Sequence, residues 1–423
     1  MDSEEKFIMA SDRDIREGLT TDVYFLRTVK ILESEGLSDV EVYAEFTVSS
    51  LPDGYPWAIL GGLREVAKLL RGLPVDVDAI PEGSVIYDRD YYGVKVPLMT
   101  IRGPYAKFAV YETPILGFLA FGSGVITKAA RLRKVAGGGV LLLSFGARRM
   151  HPAVSPFISY YAYMGGCDGV SCVLGAKFLG KRPMGTMPHS LIVIYKVARG
   201  DHGEAWRAFD RVMPPEVPRV MLVDTYWDEV AETLKAVEDV GADRVWGVRL
   251  DTPSSRRGNF EDIVREVLWE LRARGYRGVK VLVSGGIDED AIPGLVRAGV
   301  AGFGVGSAIA NAKIVDVAMD VVAVRRDGRW VPAAKRGKFS GVKVVYRCSE
   351  CLTDVVRLEG EPTPKCPNCG SDMEPLLKPL MRSGEPVCEL PSPDEVRKRV
   401  LEQLDKLDLS RKPWEAGERA KAY

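Results

Sequence analysis

The sequence predicts an α/β protein: an irregular β/α barrel carrying an N-terminal α+β sheet domain and a C-terminal zinc-ribbon module. Three observations predict it. Between residues 112 and 317, short apolar runs alternate with helical patterns six or seven times, as parallel strands joined by helices do. Residues 40–110 are strand-rich, with apolar and polar side chains alternating, as half-buried strands do. Near the C-terminus, Cys348-Ser-Glu-Cys351 and Cys366-Pro-Asn-Cys369 are separated by fourteen residues, a spacing that gathers four thiolates round one tetrahedral metal.

Composition bounds the rest. A chain of 423 residues, 46% hydrophobic and 27% charged, has ample material for a large core and more than one domain. Its 58 cationic side chains balance its 58 anionic ones, so bulk charge gives no support to a nucleic-acid or membrane-surface role. The acidic start lacks the apolar run of a signal peptide, and the run over 115–126 is broken by glycines and too short to span a bilayer. A cytoplasmic location is expected. Three asparagines and one glutamine in the whole chain fit a protein from a hot environment, or a biased genome. The seven cysteines, four of them in two tight pairs, read as metal ligands in a reducing compartment, with Cys167, Cys172 and Cys388 as ordinary thiols.

Along the chain, Thr21 or Asp22 can cap a first helix, which would put Tyr24 in its first turn. The N-terminal α+β domain is expected over 1–111, with two alternating segments flanking a helix at 58–70. Pro114 suits the first turn of a long helix with Thr113 as its cap. The barrel domain is expected over 112–317. Its strand candidates are 140–145, 169–173, 184–187, 219–224, 244–250, 279–284 and 301–305. The alternation resumes at 318–345, with Asp327-Gly328 at a hairpin turn, and is expected to complete the N-terminal sheet. The metal module should occupy 346–380 and a charged helical tail 381–423. Cys348, Cys351, Cys366 and Cys369 would leave the metal no open position, so zinc there should be structural; thiolate spacing alone also admits iron.

Polar and glycine residues fall at the ends of the barrel strands. Phe145-Gly146-Ala147-Arg148 ends the first, Asp168 lies beside the second, and Thr186 and His189 end the third. Asp224 and Thr225 end the fourth; Arg249, Asp251 and Thr252 the fifth; Ser284-Gly285-Gly286 the sixth; Gly304, Gly306 and Ser307 the seventh. Active sites of β/α barrels are built at these carboxyl ends, and glycine loops after the last two strands commonly bind phosphate. His189 is one of only three histidines, and Lys177, Lys181 and Arg182 precede it. A scarce imidazole among cations, facing two such loops, is a candidate phosphate-handling group.

At this point the motifs TDVY, ETPIL, SFGARR, GCDGVSCVLGAKFLGKRPMGTMPHS, VDTY, GVRLDT, SGGID and GFGVGSAI, in this order, resemble the nicotinate phosphoribosyltransferases. The resemblance covers roughly residues 20–310, and the four-cysteine segment looks like that of archaeal members. It implies a type II phosphoribosyltransferase-like barrel. It implies a reaction of nicotinate with phosphoribosyl pyrophosphate (PRPP) to nicotinate mononucleotide and pyrophosphate, in NAD biosynthesis, with Mg²⁺ and with ATP as co-substrate. His189 matches the family's phosphohistidine. Arg249 and Asp251 match positions near the ribose and its phosphates. Ser284, Gly285, Gly286, Gly304, Gly306 and Ser307 match the 5′-phosphate loops. Phe145 and Arg148 match the ring-stacking aromatic and a substrate-binding arginine, and Asp168, Thr186 and Asp224 are candidate substrate contacts. Tyr24 matches a residue that stacks on the pyridine from the neighbouring subunit, which implies a homodimer or higher oligomer with shared sites. Two other readings stay open: quinolinate or nicotinamide as the pyridine on the same fold, and a barrel without catalysis that uses its ribbon for interactions.

Overall fold

The structure, a computed structural model, describes residues 7–415; the ends of the expected first domain (1–6) and tail (416–423) lie outside the described residues. The chain forms two compact units. One is contiguous, Lys128–Ala312; the other runs up to Thr127 and resumes at Lys313.

The contiguous unit is built on six parallel strands: β1 Leu141–Ser144, β2 Gly169–Val170, β3 Val220–Leu222, β4 Gly247–Leu250, β5 Lys280–Ser284 and β6 Gly302–Val305. Their order is β2-β1-β6-β5-β4-β3, and every pairing is parallel. The strands are short apolar runs with both faces covered, as a parallel sheet requires. Between them run helices α1 Ser155–Met164, α2 His189–Arg199, α3 Gly203–Val212, α4 Glu229–Val240, α5 Phe260–Ala273 and α6 Ala291–Ala298.

One of the seven expected strands is missing. Residues 184–187 lie extended beside β2 but share only one backbone bond with it, Met184 N–H to Val170 O (2.9 Å). Pro183 and Pro188 bracket the segment, and prolines deny the ladder its donors. The sheet is therefore a part-closed barrel, with no hydrogen-bonded ladder between β2 and β3 among the described residues.

The other unit holds a seven-stranded antiparallel sheet. Its order is Arg329–Pro332, Asp316–Arg326, Glu41–Ser50, Pro97–Pro104, Asp76–Ala79, Lys378–Arg382 and Glu385–Pro386. Strand Glu41–Ser50 is buried from Val42 to Val48, so both its faces are covered where simple alternation implied one. Asp327 and Gly328, with φ 50° and 74°, close the two-residue hairpin turn. The expected tail differs from the structure: Lys378–Arg382 pairs with Asp76–Ala79, the helix is Pro393–Leu404, capped by Ser392 and Glu395 and burying Val396, Val400 and Leu404, and a short 3-10 turn follows at Pro413–Glu415.

The long helix Glu112–Ala136 is continuous with helical turns before it, so Thr113 does not cap it. Thr113 instead exchanges hydrogen bonds with Asp22, the residue preceding helix Val23–Ser34. The stretch Tyr105–Ala136 is long and apolar enough to cross a membrane by length and composition. Ile115, Leu119, Val125, Ile126 and Leu132 within it have no exposed surface, as in the core helix of a globular protein. Gly62 shows why: a Cβ there would sit 2.3 Å from Phe118 O, so only glycine lets the preceding loop lie this close to the helix.

The cysteine segment forms a three-stranded ribbon of Lys343–Cys348, Asp354–Leu358 and Met373–Pro375. Arg347 clasps Asp354 with two 2.7 Å bonds inside it, both side chains being buried.

Candidate active site and metal centre

The carboxyl ends of β3, β4 and β5, with the extended 184–188 segment, bring one polar cluster together in the contiguous unit. His189 opens α2, where Pro188 before it ends the extended segment. Its Nδ1 lies 3.1 Å from Thr225 Oγ1, and its Nε2 lies 3.5 Å from Asp251 Oδ2 and 3.9 Å from Asp224 Oδ1. The contact with Asp251 holds the imidazole pKa above its ordinary value, and the Asp224 charge adds to this.

The two carboxylates differ. Burial pushes Asp224 up to about 6, and its Oδ1 has no hydrogen-bond partner. Its Oδ2 accepts from Asp251 N–H (2.6 Å) and the Thr252 hydroxyl (3.1 Å). Burial works in the same direction on Asp251, but His189, the Ser284 hydroxyl (2.6 Å) and Arg249 (3.3 Å) outweigh it and bring that carboxyl down to about 2. Asp251 is thus the group that stays ionised.

Arg249, nearly buried, turns inward. Nε donates to Thr186 Oγ1 (2.9 Å), Nη1 to Ser284 Oγ (2.8 Å) and Nη2 to Met187 O (2.9 Å). With these bonds it braces the segment that lacks a ladder.

The glycine loops lie at the neighbouring strand ends. Gly285 and Gly286 take left-handed φ of 83° and 69°, which only glycine adopts freely. Among the described residues, the backbone N–H groups of Gly285, Gly286, Gly306 and Ser307 make no hydrogen bond, leaving donors available to an anion. Phe145 lies over β6: a Cβ on Gly304 would stand 2.4 Å from its ring. Arg148 sits exposed in the turn Gly146–Arg149 that follows.

One expected residue falls elsewhere. Asp168 precedes β2, at the opposite end of the strands from the cluster; it pairs with Arg133 and accepts from Leu142 N–H (2.8 Å). With β2 reduced to two residues, an aspartate beside it marks its entry and ties strand starts together. Tyr24 belongs to the other unit, exposed on Val23–Ser34. Of the cations before His189, Lys181 rests over the Tyr163 ring (4.9 Å) and Arg182 pairs with Glu216 (3.1 Å). Thr252, expected at the end of the fifth strand, also places its hydroxyl oxygen 2.5 Å from Glu229 Oε1, and Glu232 builds the site though no motif marks it.

In the ribbon, the four cysteine sulfurs lie within 4.8 Å of one another. Pairs 348–369 and 351–366 are 3.5 Å apart, close to the roughly 3.8 Å edge of a tetrahedron of thiolates about zinc. Backbone N–H groups of Glu350 and Cys351 point at Cys348 Sγ, and those of Asn368 and Cys369 at Cys366 Sγ, as in a knuckle that stabilises thiolates.

The fold and the cluster define a β/α-barrel enzyme with a histidine–carboxylate centre facing glycine loops. Residues 22–123 match the quinolinate phosphoribosyl transferase N-terminal domain and residues 125–320 its C-terminal domain. The chain belongs to the nicotinate and quinolinate phosphoribosyltransferase family. It is 48% identical to a crystal structure described as nicotinate-nucleotide pyrophosphorylase from Pyrococcus furiosus, with TM-score 0.87, covering 95% of this chain and 98% of that one. Human nicotinic acid phosphoribosyltransferase shares the fold at 23% identity and TM-score 0.74, over 92% of this chain and 94% of that one. A nicotinate phosphoribosyltransferase of Mycobacterium tuberculosis is 28% identical, over 92% of this chain and 87% of its own length.

Proposed function

We propose that this protein transfers the phosphoribosyl group of PRPP to nicotinate, giving nicotinate mononucleotide and pyrophosphate in NAD biosynthesis, and couples the transfer to ATP hydrolysis through a phosphohistidine at His189. The observation that carries this reading is His189 set between Thr225 on Nδ1 and two carboxylates on Nε2. Carboxylates only accept, so Nε2 keeps the proton and Nδ1 presents its lone pair. Nδ1 attacks the γ-phosphorus of ATP; the N–P bond forms as the P–O bond breaks, and ADP leaves with that electron pair. Asp251 steadies the charge that grows on the ring.

In the transfer step, the bond from ribose C1 to pyrophosphate breaks and leaves positive charge on the sugar. Asp251, ionised over the whole physiological range, is the carboxylate able to oppose that charge and hold ribose hydroxyls. The free N–H groups at Gly285, Gly286, Gly306 and Ser307 suit the 5′-phosphate, and Phe145 and Arg148 suit the pyridine ring and its carboxylate. Asp224 with its unpaired oxygen, beside Asp251, fits Mg²⁺ entering with pyrophosphate or ATP, where it would neutralise phosphate charge. The four cysteines fit a structural zinc.

A homodimer with shared sites accords with Val23, Tyr24, Leu26 and Ile31, which lie exposed on one helix. Four cysteines gathered as a metal-ligand set accord with a reducing, cytoplasmic setting.

The deciding experiment supplies radiolabelled nicotinate, nicotinamide or quinolinate with PRPP, with and without ATP. Mononucleotide should form from nicotinate and form faster with ATP. His189→Ala should lose ATP hydrolysis and the enhancement; an unchanged ATPase in that variant would sink the phosphohistidine.

A further inference from the structure

We propose that Glu232 is a positioning residue for His189, acting through Thr225, a role that rests on His189 as the phosphoryl acceptor. Glu232 lies in the first turn of α4 with no exposed surface. A carboxylate so buried needs compensation, and here it comes from the turn that leaves β3. Oε2 accepts from Thr225 N–H (2.8 Å); Oε1 accepts from Tyr226 N–H (2.8 Å) and Trp227 N–H (3.1 Å).

The fourth neighbour is His202, equally buried at the joint between α2 and α3. Its Nε2 stands 3.5 Å from Glu232 Oε1, a contact without a hydrogen bond, and its ring is packed edge-on against Trp206 and Trp227. Burial holds His202 below its ordinary pKa, so this contact does not depend on a charged imidazole.

The consequence is geometric. Three consecutive N–H groups converging on one carboxylate fix the backbone of 225–227, and with it the Thr225 hydroxyl. That hydroxyl is the group at His189 Nδ1. His202 packs beside the same carboxylate from the chain that leaves α2. One buried glutamate thus fixes the turn that carries the hydroxyl at His189 Nδ1.

A test uses the full chain as the parent, Glu232→Gln, Thr225→Val and the double variant. With only His151, His189 and His202 in the sequence, nitrogen-15 spectra of the imidazoles are countable, and His189→Ala identifies the His189 signals. In resting protein, Thr225→Val should move the His189 Nδ1 resonance toward that of an unbonded acceptor. Glu232→Gln should move it the same way, and the double variant no further than Thr225→Val. Phosphoryl incorporation from ATP should slow about tenfold in each single variant, and no more in the double, because one hydrogen bond is lost either way. Thr225→Ser should retain the parental resonance and rate. Should Glu232→Gln not fold, Glu232→Asp, which withdraws the carboxylate by one methylene, should show the same displacement. A parental His189 spectrum in a folded Glu232 variant, or losses that multiply in the double, would overturn the proposal. The spectra need no ATP: a parent that never phosphorylates His189 refutes the functional reading, while the resonances still decide the role of Glu232.

Discussion

Arg249→Met should loosen the segment that carries His189 without unfolding the barrel. The substitution keeps the aliphatic stem and removes the guanidinium. Lost with it are the bonds to Thr186 Oγ1 and Met187 O, two of the few ties on a segment with a single ladder bond. Hydrogen bonds from a charged donor contribute about 1.5–3 kcal/mol each, so release of the segment gains about 3 kcal/mol at the low end, roughly a hundredfold in its opened population. Asp251 also loses its nearest cation, though it is a quarter exposed and water makes up part of that loss. Hydrogen exchange followed by mass spectrometry on peptides covering 183–189 reads the effect directly. Exchange there should accelerate while peptides of β5 and β6 stay protected. Arg249→Lys, with one ammonium for three acceptors, should fall between. Parental exchange across 183–189 in Arg249→Met would refute the argument that the guanidinium replaces the missing ladder.

Three other outcomes follow from the same geometry. ATP-driven turnover needs neutral Nδ1 on His189, so its rate should rise with pH through an imidazole pKa that Asp251 holds above 6.5; Asp251→Asn should move that limb of the pH–rate profile to lower pH, and an unmoved limb would remove His189 from the rate. Gly304→Ala puts a methyl where the Phe145 ring lies, a clash of the kind that costs about 1–3 kcal/mol, and should raise the KM for nicotinate more than that for PRPP in initial-rate measurements. Cys366→Ser should lose about one zinc per chain by elemental analysis and lower the melting temperature; parent protein free of metal would discard the zinc assignment.

Much of the site is legible in the sequence because barrel strands carry their chemistry at one end. Thr186, His189, Asp224, Arg249, Asp251 and Ser284 each follow or close an apolar run, and the structure brings these six together. The same rule fails for Asp168, since an aspartate beside a two-residue strand looks alike at either end. Spacing predicts a strand at 184–187, but the flanking prolines Pro183 and Pro188 outweigh spacing once backbone donors are counted. Glu232 was invisible for a different reason. A glutamate in a helical first turn ordinarily faces water, and nothing local reveals that three N–H groups and a histidine surround it. The return of Lys378–Arg382 to the N-terminal sheet is equally hidden, since its partner Asp76–Ala79 lies some three hundred residues earlier.

The discontinuous unit has a consequence for biosynthesis. Strand Glu41–Ser50 emerges from the ribosome early, yet one of its two neighbours, Asp316–Arg326, appears only after all of Lys128–Ala312 has been made. At the usual pace of roughly 5–20 residues per second, that strand waits tens of seconds with an unpaired edge. The sequence between its halves is itself a compact unit and can fold during that interval. The order of assembly is thus the reverse of the order of synthesis: the catalytic insert first, the sheet that precedes it last. A nascent chain arrested before residue 316 should expose the apolar edge of Glu41–Ser50, an edge that chaperones recognise and that the completed chain never shows.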